Sequence, residues 1–411
     1  MAQLRFDNQV AIITGAGAGL GREYALFFAS RGAKVLVNDL GKTKSGEHTA
    51  ALVVAEIKAA GGIAAANTDS VDQGDKIVAQ CIEVFGGVHI VINNAGILRD
   101  ISFMKMKESD WDIIMKVHMK GSFTVARAAW PYLRKQGYGR IINTSSGSGI
   151  YGSFGQVNYS AAKMGLHGFT RGLHLEGEQK GIFTNSIVPT AATAMTRTVM
   201  SEELLKAFEA QHIVPMVAYL CHESCTKSGA LYELGGGWVS ELRWQRTAGV
   251  NFDLPHTPED IAAKFEQIGD FEKEVDYPTS SKDALNKIFF NYERVQALKA
   301  NKAGNEQLKS AGIFQMLGNY LGKGEGMDAV KKCQATYNFN ITERKNGPVK
   351  GRWAIDLKNG NGAVFAKHFT QADATFTLDD EEFYNQCMIK SNPQMAFLKV
   401  FYFWAKNSRG E

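Results

Sequence analysis

The chain opens with unbroken apolar runs separated by stretches of helical spacing. Val10–Thr14 is the first such run and ends at glycines. Lys34–Asp39, Ile63–Asp69, His89–Asn93, Arg140–Ser145, Phe183–Pro189 and Ala230–Leu234 repeat the pattern. Between them Arg22–Arg31, Glu47–Ala60, Asp72–Phe85, Ser109–Gln136 and Tyr159–Lys180 read as helices, the long one with a break predicted near Pro131. Strands that are apolar at every position are those buried on both faces. Their strict alternation with helices predicts an α/β, Rossmann-type fold, a doubly wound parallel sheet of about seven strands covered on both sides.

The pattern changes after Trp238. Trp238–Val250 is basic and aromatic, and Thr257 is placed to cap a short helix with Pro258 at its first position. Tyr277–Ser281 reads as a linker. Beyond it Lys282–Ala300 and Gln307–Leu321 have helical spacing, with Tyr219 and Leu220 of the preceding half also read as helix core. Ala335–Thr342, Gly351–Lys358, Gly362–Ala366 and Ala374–Leu378 read as strands joined by turns such as Asn359-Gly360-Asn361-Gly362. This predicts a smaller α+β domain with an antiparallel sheet. The expected domains are 1–250 and 285–411, with 251–284 an extension and linker.

Composition narrows the function. With 45% hydrophobic and 21% charged residues over 411, the chain can bury sizeable cores. A net charge of +4 argues against a dedicated nucleic-acid surface and permits small anionic ligands. Five scattered cysteines fit a reducing compartment. Cys221-His222-x-x-Cys225 has no second ligand pair at zinc-site spacing, so no metal is expected. No run is long and apolar enough for a membrane span or a secretory signal. The terminal Arg-Gly-Glu is not a peroxisomal tripeptide, so the compartment reads as cytoplasmic on this ground alone.

Thr14-Gly15-Ala16-Gly17-Ala18-Gly19-Leu20-Gly21 lies between the first strand and first helix. There, backbone N–H groups and a helix N-terminus can approach a pyrophosphate. Asp39 closes the second strand, where a carboxylate accepts ribose hydroxyls and repels a 2′-phosphate. Ala18 is not basic, so NAD is expected over NADP. Tyr159 and Lys163 share one helix face a turn apart. An ammonium so placed favours the phenolate and prepares the tyrosine to move a proton at a substrate oxygen.

Together these residues resemble the short-chain dehydrogenase/reductases. The resemblance rests on the glycine turn at 14–21, Asp69, Asn93-Asn94-Ala95-Gly96, Ser146 and Tyr159/Lys163. It implies that Ser146 holds the substrate oxygen, Tyr159 is the general acid/base, and Lys163 binds the nicotinamide ribose and stabilises the phenolate. Gly15, Gly19, Leu20, Gly21 and Asp39 would line the cofactor. Asp69, Ser70 and Val71 would meet its adenine; Asn94, Ala95 and Gly96 its nicotinamide ribose; Pro189, Ala192 and Thr193 its nicotinamide. His118 stands where the family usually has Asn, and Pro189-Thr190 where it has Pro-Gly.

Further strings, among them Ile97-Leu98-Arg99-Asp100, Gly149-Ile150-Tyr151-Gly152 and Gly237-Trp238-Val239-Ser240, resemble the (3R)-hydroxyacyl-CoA dehydrogenase part of the type 2 peroxisomal multifunctional enzymes. This implies an NAD-dependent dehydrogenase of fatty-acid β-oxidation acting on acyl-CoA, a peroxisomal setting and a homodimer. An enzyme for 17β-hydroxysteroids or sterols, and a lipid carrier with an oxidoreductase-like scaffold, are the alternatives. Gly351–Gly360, Ala372–Leu378 and Asn392–Phe397 resemble sterol carrier protein 2, a domain that encloses a lipid. Alternating Trp353, Ile355 and Leu357 could face such a ligand or a plain core. After Lys399 the sequence leaves that pattern, and the domain is expected to be incomplete at its C-terminus.

Overall fold

In a computed structural model, described for residues 3–191, 202–303, 308–322, 330–331, 333–360 and 362–388, the chain forms two units, Met1–Arg243 and Trp244–Glu411. The first carries β1 (Val10–Thr14), α1 (Gly19–Ser30), β2 (Lys34–Asn38), α2 (Thr49–Ala59), β3 (Ile63–Asn67), α3 (Gly74–Phe85) and β4 (Ile90–Asn93). It continues with α4 (Glu108–Met115), α5 (Gly121–Gln136), β5 (Gly139–Thr144), α6 (Gly147–Tyr151), α7 (Val157–Gly177), β6 (Ile182–Pro189), α8 (Glu202–Ala207), α9 (Val214–Cys221), β7 (Leu231–Gly235) and β8 (Trp238–Leu242).

The strand order is β3-β2-β1-β4-β5-β6-β7-β8, parallel throughout except for β8. Alternate residues of β1 explain why its sequence is apolar at every position. Ala11 and Ile13 enter a core with Tyr24, Phe28 and Ile57 on one face. Val10 and Ile12 enter a second core with Ile77, Val125 and Leu133 on the other. Full burial of each Ile or Val contributes about 1.5–3 kcal/mol. The order reverses between β1 and β4, and in such sheets the crevice beyond the strand C-termini at that point is where ligands bind.

The sheet has eight strands, one more than its apolar runs predict. Gly236 and Gly237, with φ of +59° and +81°, form a two-residue turn that only glycines adopt readily, and Trp238 returns antiparallel to pair with Gly235. The long helix does not break at Pro131, which lies inside α5. It widens earlier, into a π turn at Lys116–Lys120 between α4 and α5. Tyr219, expected in the core, is 45% exposed, whereas its neighbour Leu220 is buried.

In the second unit the strands Ala363–Phe365, Val349–Asp356, Thr336–Thr342 and Ala374–Asp379 lie side by side in that order. The first two pairings are antiparallel. The last, between Thr336–Thr342 and Ala374–Asp379, is parallel, so the sheet is mixed rather than antiparallel. Phe314 stacks on Trp353 at 4.6 Å and packs against Phe339 and Phe383. Ile355 and Leu357 are core residues beside them. The expected extension joins this unit: Arg246 pairs with Asp276 at 2.9 Å, and Asn291 of the helix Ser281–Ala303 donates to the Phe252 carbonyl at 3.0 Å.

Candidate active site

The ends of β1 and β4 are knotted by Thr14 and Asn94. The Thr14 hydroxyl accepts the N–H groups of Asn94 and Ala95, both at 3.1 Å. The Asn94 amide donates to the carbonyls of Thr14 and Gly15 at 3.1 and 3.2 Å. Gly15 has φ +61°, and a Cβ there would lie 2.7 Å from the Ala95 Cα. At Gly21 a Cβ would run into the Gly15 carbonyl, and at Gly17 into the Thr49 hydroxyl. At Gly19, by contrast, nothing lies within 4 Å, and Leu20 behind it packs on the core. The turn is therefore closed behind and open in front, at the N-terminus of the 12-residue α1. This cradle fits a dinucleotide pyrophosphate.

Asp39 faces the same turn. Its carboxylate accepts the N–H of Gly17 at 2.8 Å and of Gly41 at 2.6 Å. At the end of β3, Asn67 donates to the Asp69 carboxylate at 2.8 Å. Ser70 is hydrogen-bonded to Asp72, and the buried Val71 is held through its carbonyl by Thr124 at 2.5 Å. Pro189 ends β6, where Thr190 N donates to the Leu234 carbonyl at 2.8 Å. Ala192 and Thr193 lie outside the described residues.

Ser146 follows β5 and caps α6, its hydroxyl accepting the Ser148 N–H at 3.2 Å. Tyr159 stands in the first turn of α7, with Ser146 near enough to its phenol to favour the ionised form. The Lys163 ammonium lies 5.4 Å from the Tyr159 ring centre. Lys163 is held at both ends: its Nζ donates to the Thr144 carbonyl at 2.6 Å, and its own carbonyl accepts the Ser145 hydroxyl at 2.7 Å. Gly149 makes this possible, because a Cβ there would lie 2.9 Å from Lys163 Cβ.

The electrostatics differ from the sequence expectation of a depressed phenol. Burial holds Tyr159 above its ordinary value, although Ser146 acts the other way. Burial likewise lowers the Lys163 ammonium to about 7. A low-dielectric site disfavours both charged forms, and that outweighs the help each could give the other. The Tyr159 phenol can nonetheless exchange a proton with a substrate oxygen held between it and Ser146.

His118 completes the wall. It sits in the π turn, 1% exposed, with its ring edge-on to Tyr159 at 5.2 Å. Its Nε2 lies 2.9 Å from the Ile97 carbonyl and 3.2 Å from the Ile97 nitrogen. Its Nδ1 is buried without a partner among the described residues. Burial first, then Lys163, lowers its pKa to about 3, so it is neutral over the working range. The unfolded chain takes up this proton from about pH 6.5, so stability should fall as pH drops from there towards 3. His118→Asn removes that component: its urea midpoint, followed from pH 7 to pH 4, should fall less steeply than the parent's. Parallel curves would contradict a neutral buried His118. Thr14, Thr144 and Asn158, which support the site, were not among the residues picked out from the sequence; Thr14 opens the glycine motif and Asn158 adjoins Tyr159, the only signals they offer.

Comparison with known proteins matches this chain twice, to the short chain dehydrogenase family over residues 9–205 and to the SCP-2 sterol transfer family over residues 316–400. Peroxisomal multifunctional enzyme A of Dictyostelium discoideum is 44% identical over 96% of this chain and 94% of its own length. Peroxisomal multifunctional enzyme type 2 of Mus musculus is 51% identical over 65% of this chain but only 37% of its own length. The solved full-length peroxisomal multifunctional enzyme type 2 from Drosophila melanogaster superposes with a TM-score of 0.62 at 34% identity, covering 86% of this chain and 67% of that one. With the glycine turn, Ser146, Tyr159 and Lys163 gathered at one end of a doubly wound sheet, this chain belongs to the short-chain dehydrogenases, oxidoreductases, joined here to an SCP-2 domain.

Proposed function

We propose that the protein oxidises (3R)-3-hydroxyacyl-CoA to 3-oxoacyl-CoA with NAD⁺, a step of fatty-acid β-oxidation. The observation that carries this is the gathering of Ser146, Tyr159 and Lys163 beside the glycine turn, in a chain alike along nearly its whole length to a peroxisomal multifunctional enzyme. With its pyrophosphate at that turn, NAD⁺ would supply the acceptor for the hydride lost from C3. Tyr159, as phenolate, takes the proton of the 3-hydroxyl as that carbon becomes a carbonyl. Ser146 orients the oxygen towards the phenol. Lys163, fixed on the Thr144 carbonyl, would hold the nicotinamide ribose and favour the phenolate. Because the phenol must first ionise and burial holds it above its ordinary value, kcat/KM for oxidation should keep rising with pH into the alkaline range, and that for reduction should fall there.

Asp39 supports NAD over NADP, since its carboxylate beside Gly17 opposes a second phosphate on the ribose. The parent should favour NAD⁺ over NADP⁺ in kcat/KM by roughly a hundredfold or more, and Asp39→Ala should bring the ratio to within about tenfold. Steady-state kinetics with both cofactors decide this, and a parent preferring NADP⁺ would sink it. Rates with estradiol beside 3-hydroxyacyl-CoA test the steroid alternative. A peroxisomal setting and a homodimer belong to the same proposal, to be checked by imaging of a tagged chain and by light scattering.

A further inference from the structure

Three consecutive residues after β4 are each tied to the run that leads into Tyr159. The Asn158 amide, fully buried, donates to the Arg99 carbonyl at 3.3 Å and to the Asp110 carbonyl at 3.0 Å. The Gln156 amide donates to the Asp100 carboxylate at 2.9 Å. The Ile101 N–H donates to the Gly155 carbonyl at 2.8 Å. The ladder then branches at both ends. Asn158 Oδ1 accepts the N–H of Tyr159 at 2.8 Å, and Gln156 Oε1 accepts the Ser148 hydroxyl at 2.8 Å. Ser148 in turn donates its N–H to Ser146 Oγ at 3.2 Å. The Asp100–Gln156 rung is the one that joins side chain to side chain, and it carries a charge.

We infer that Asp100 is a positioning residue for the Ser146–Tyr159 pair, acting through Gln156 to hold the chain after β4 across the start of α7. The inference rests on the reading of Tyr159 as the proton acceptor. A rung at the surface adds little to stability. Its value is geometric, because a displacement of about 1 Å between reacting groups can cost on the order of 10²-fold in rate. The carboxylate has a second effect. Among the described residues, neutral His118 from the π turn and Lys163 from α7 pack against the phenol, and Asp100 from the chain after β4 acts on it through its charge. Of these, Asp100 is the negative charge, and it favours the protonated phenol.

Asp100→Asn keeps an oxygen for Gln156 and removes the charge; Asp100→Ala removes both. Measured on the whole chain, Asp100→Ala should lower kcat by about tenfold with cofactor KM nearly unchanged, and Asp100→Asn should restore most of that loss. Combined with Gln156→Ala, the effects should not add. Both Asp100 variants should shift the ionisation of Tyr159 to lower pH, read as tyrosinate difference absorbance after subtracting Tyr159→Phe. That titration needs no substrate, so it reads Asp100 even if the acyl-CoA assignment fails. An Asn variant as slow as the Ala variant, additive losses, or an unmoved titration would each overturn the inference.

Discussion

Tyr159→Phe is expected to lower kcat by about 10³–10⁴-fold, at the upper end of what one proton-transferring side chain contributes. The ring would still pack edge-on to His118 and lie beside Lys163, so folding should persist. What disappears is the phenolic oxygen beside Ser146. Thermal unfolding and cofactor binding should therefore stay close to the parent's while turnover collapses. Surviving turnover at a tenth of the parent rate or more would mean that another group takes the proton.

Gly21→Ala is expected to weaken dinucleotide binding by about a hundredfold or more. The added methyl meets the Gly15 carbonyl, and the Asn94 amide lies 2.7 Å away. Neither can swing aside: the carbonyl is backbone, and the Asn94 amide is spent on the Thr14 and Gly15 carbonyls. Either α1 retreats from the turn or the Thr14–Asn94 knot opens, and both move the N–H groups that would meet the pyrophosphate. Overpacking of this kind costs about 1–3 kcal/mol in stability. Calorimetry of NAD⁺ binding with a melting curve checks both effects, and wild-type affinity in a folded variant would remove the glycine turn from the cofactor site.

Most of the first sheet was legible because its strands are buried on both faces. Ile12 and Ile13 face opposite cores, and a short run apolar at every position between turn signals suits a strand covered on both sides. β8 escaped because it is an edge: Trp238 and Val239 are exposed, and its signal lay in the turn chemistry of Gly236-Gly237 rather than in its own residues. Pro131 misled because a proline signals a break locally, whereas the widening at Lys116–Lys120 contains no breaker, and the buried His118 lies within it. The parallel pairing of Ala374–Asp379 is a long-range choice that no local pattern encodes. In the site, helical spacing pointed to Tyr159 and Lys163 and the family resemblance to Ser146; Lys163 lies 5.4 Å from the Tyr159 ring centre, at the end of the sheet where Ser146 follows β5. The direction of the Tyr159 and Lys163 shifts could not be read from spacing, because it depends on burial that the whole fold creates. The ladder from Arg99 to Asn158 was equally invisible, since each rung joins residues far apart in the chain.

Dehydrogenation of the R-hydroxyl is tested by giving the purified protein NAD⁺ and, separately, the R and S isomers of one 3-hydroxyacyl-CoA, and following the absorbance of the reduced cofactor. Rapid reduction with the R isomer, little with the S isomer, and loss of the R signal in Tyr159→Phe are expected. Preference for the S isomer, or reduction unaffected by loss of the Tyr159 hydroxyl, would contradict this assignment.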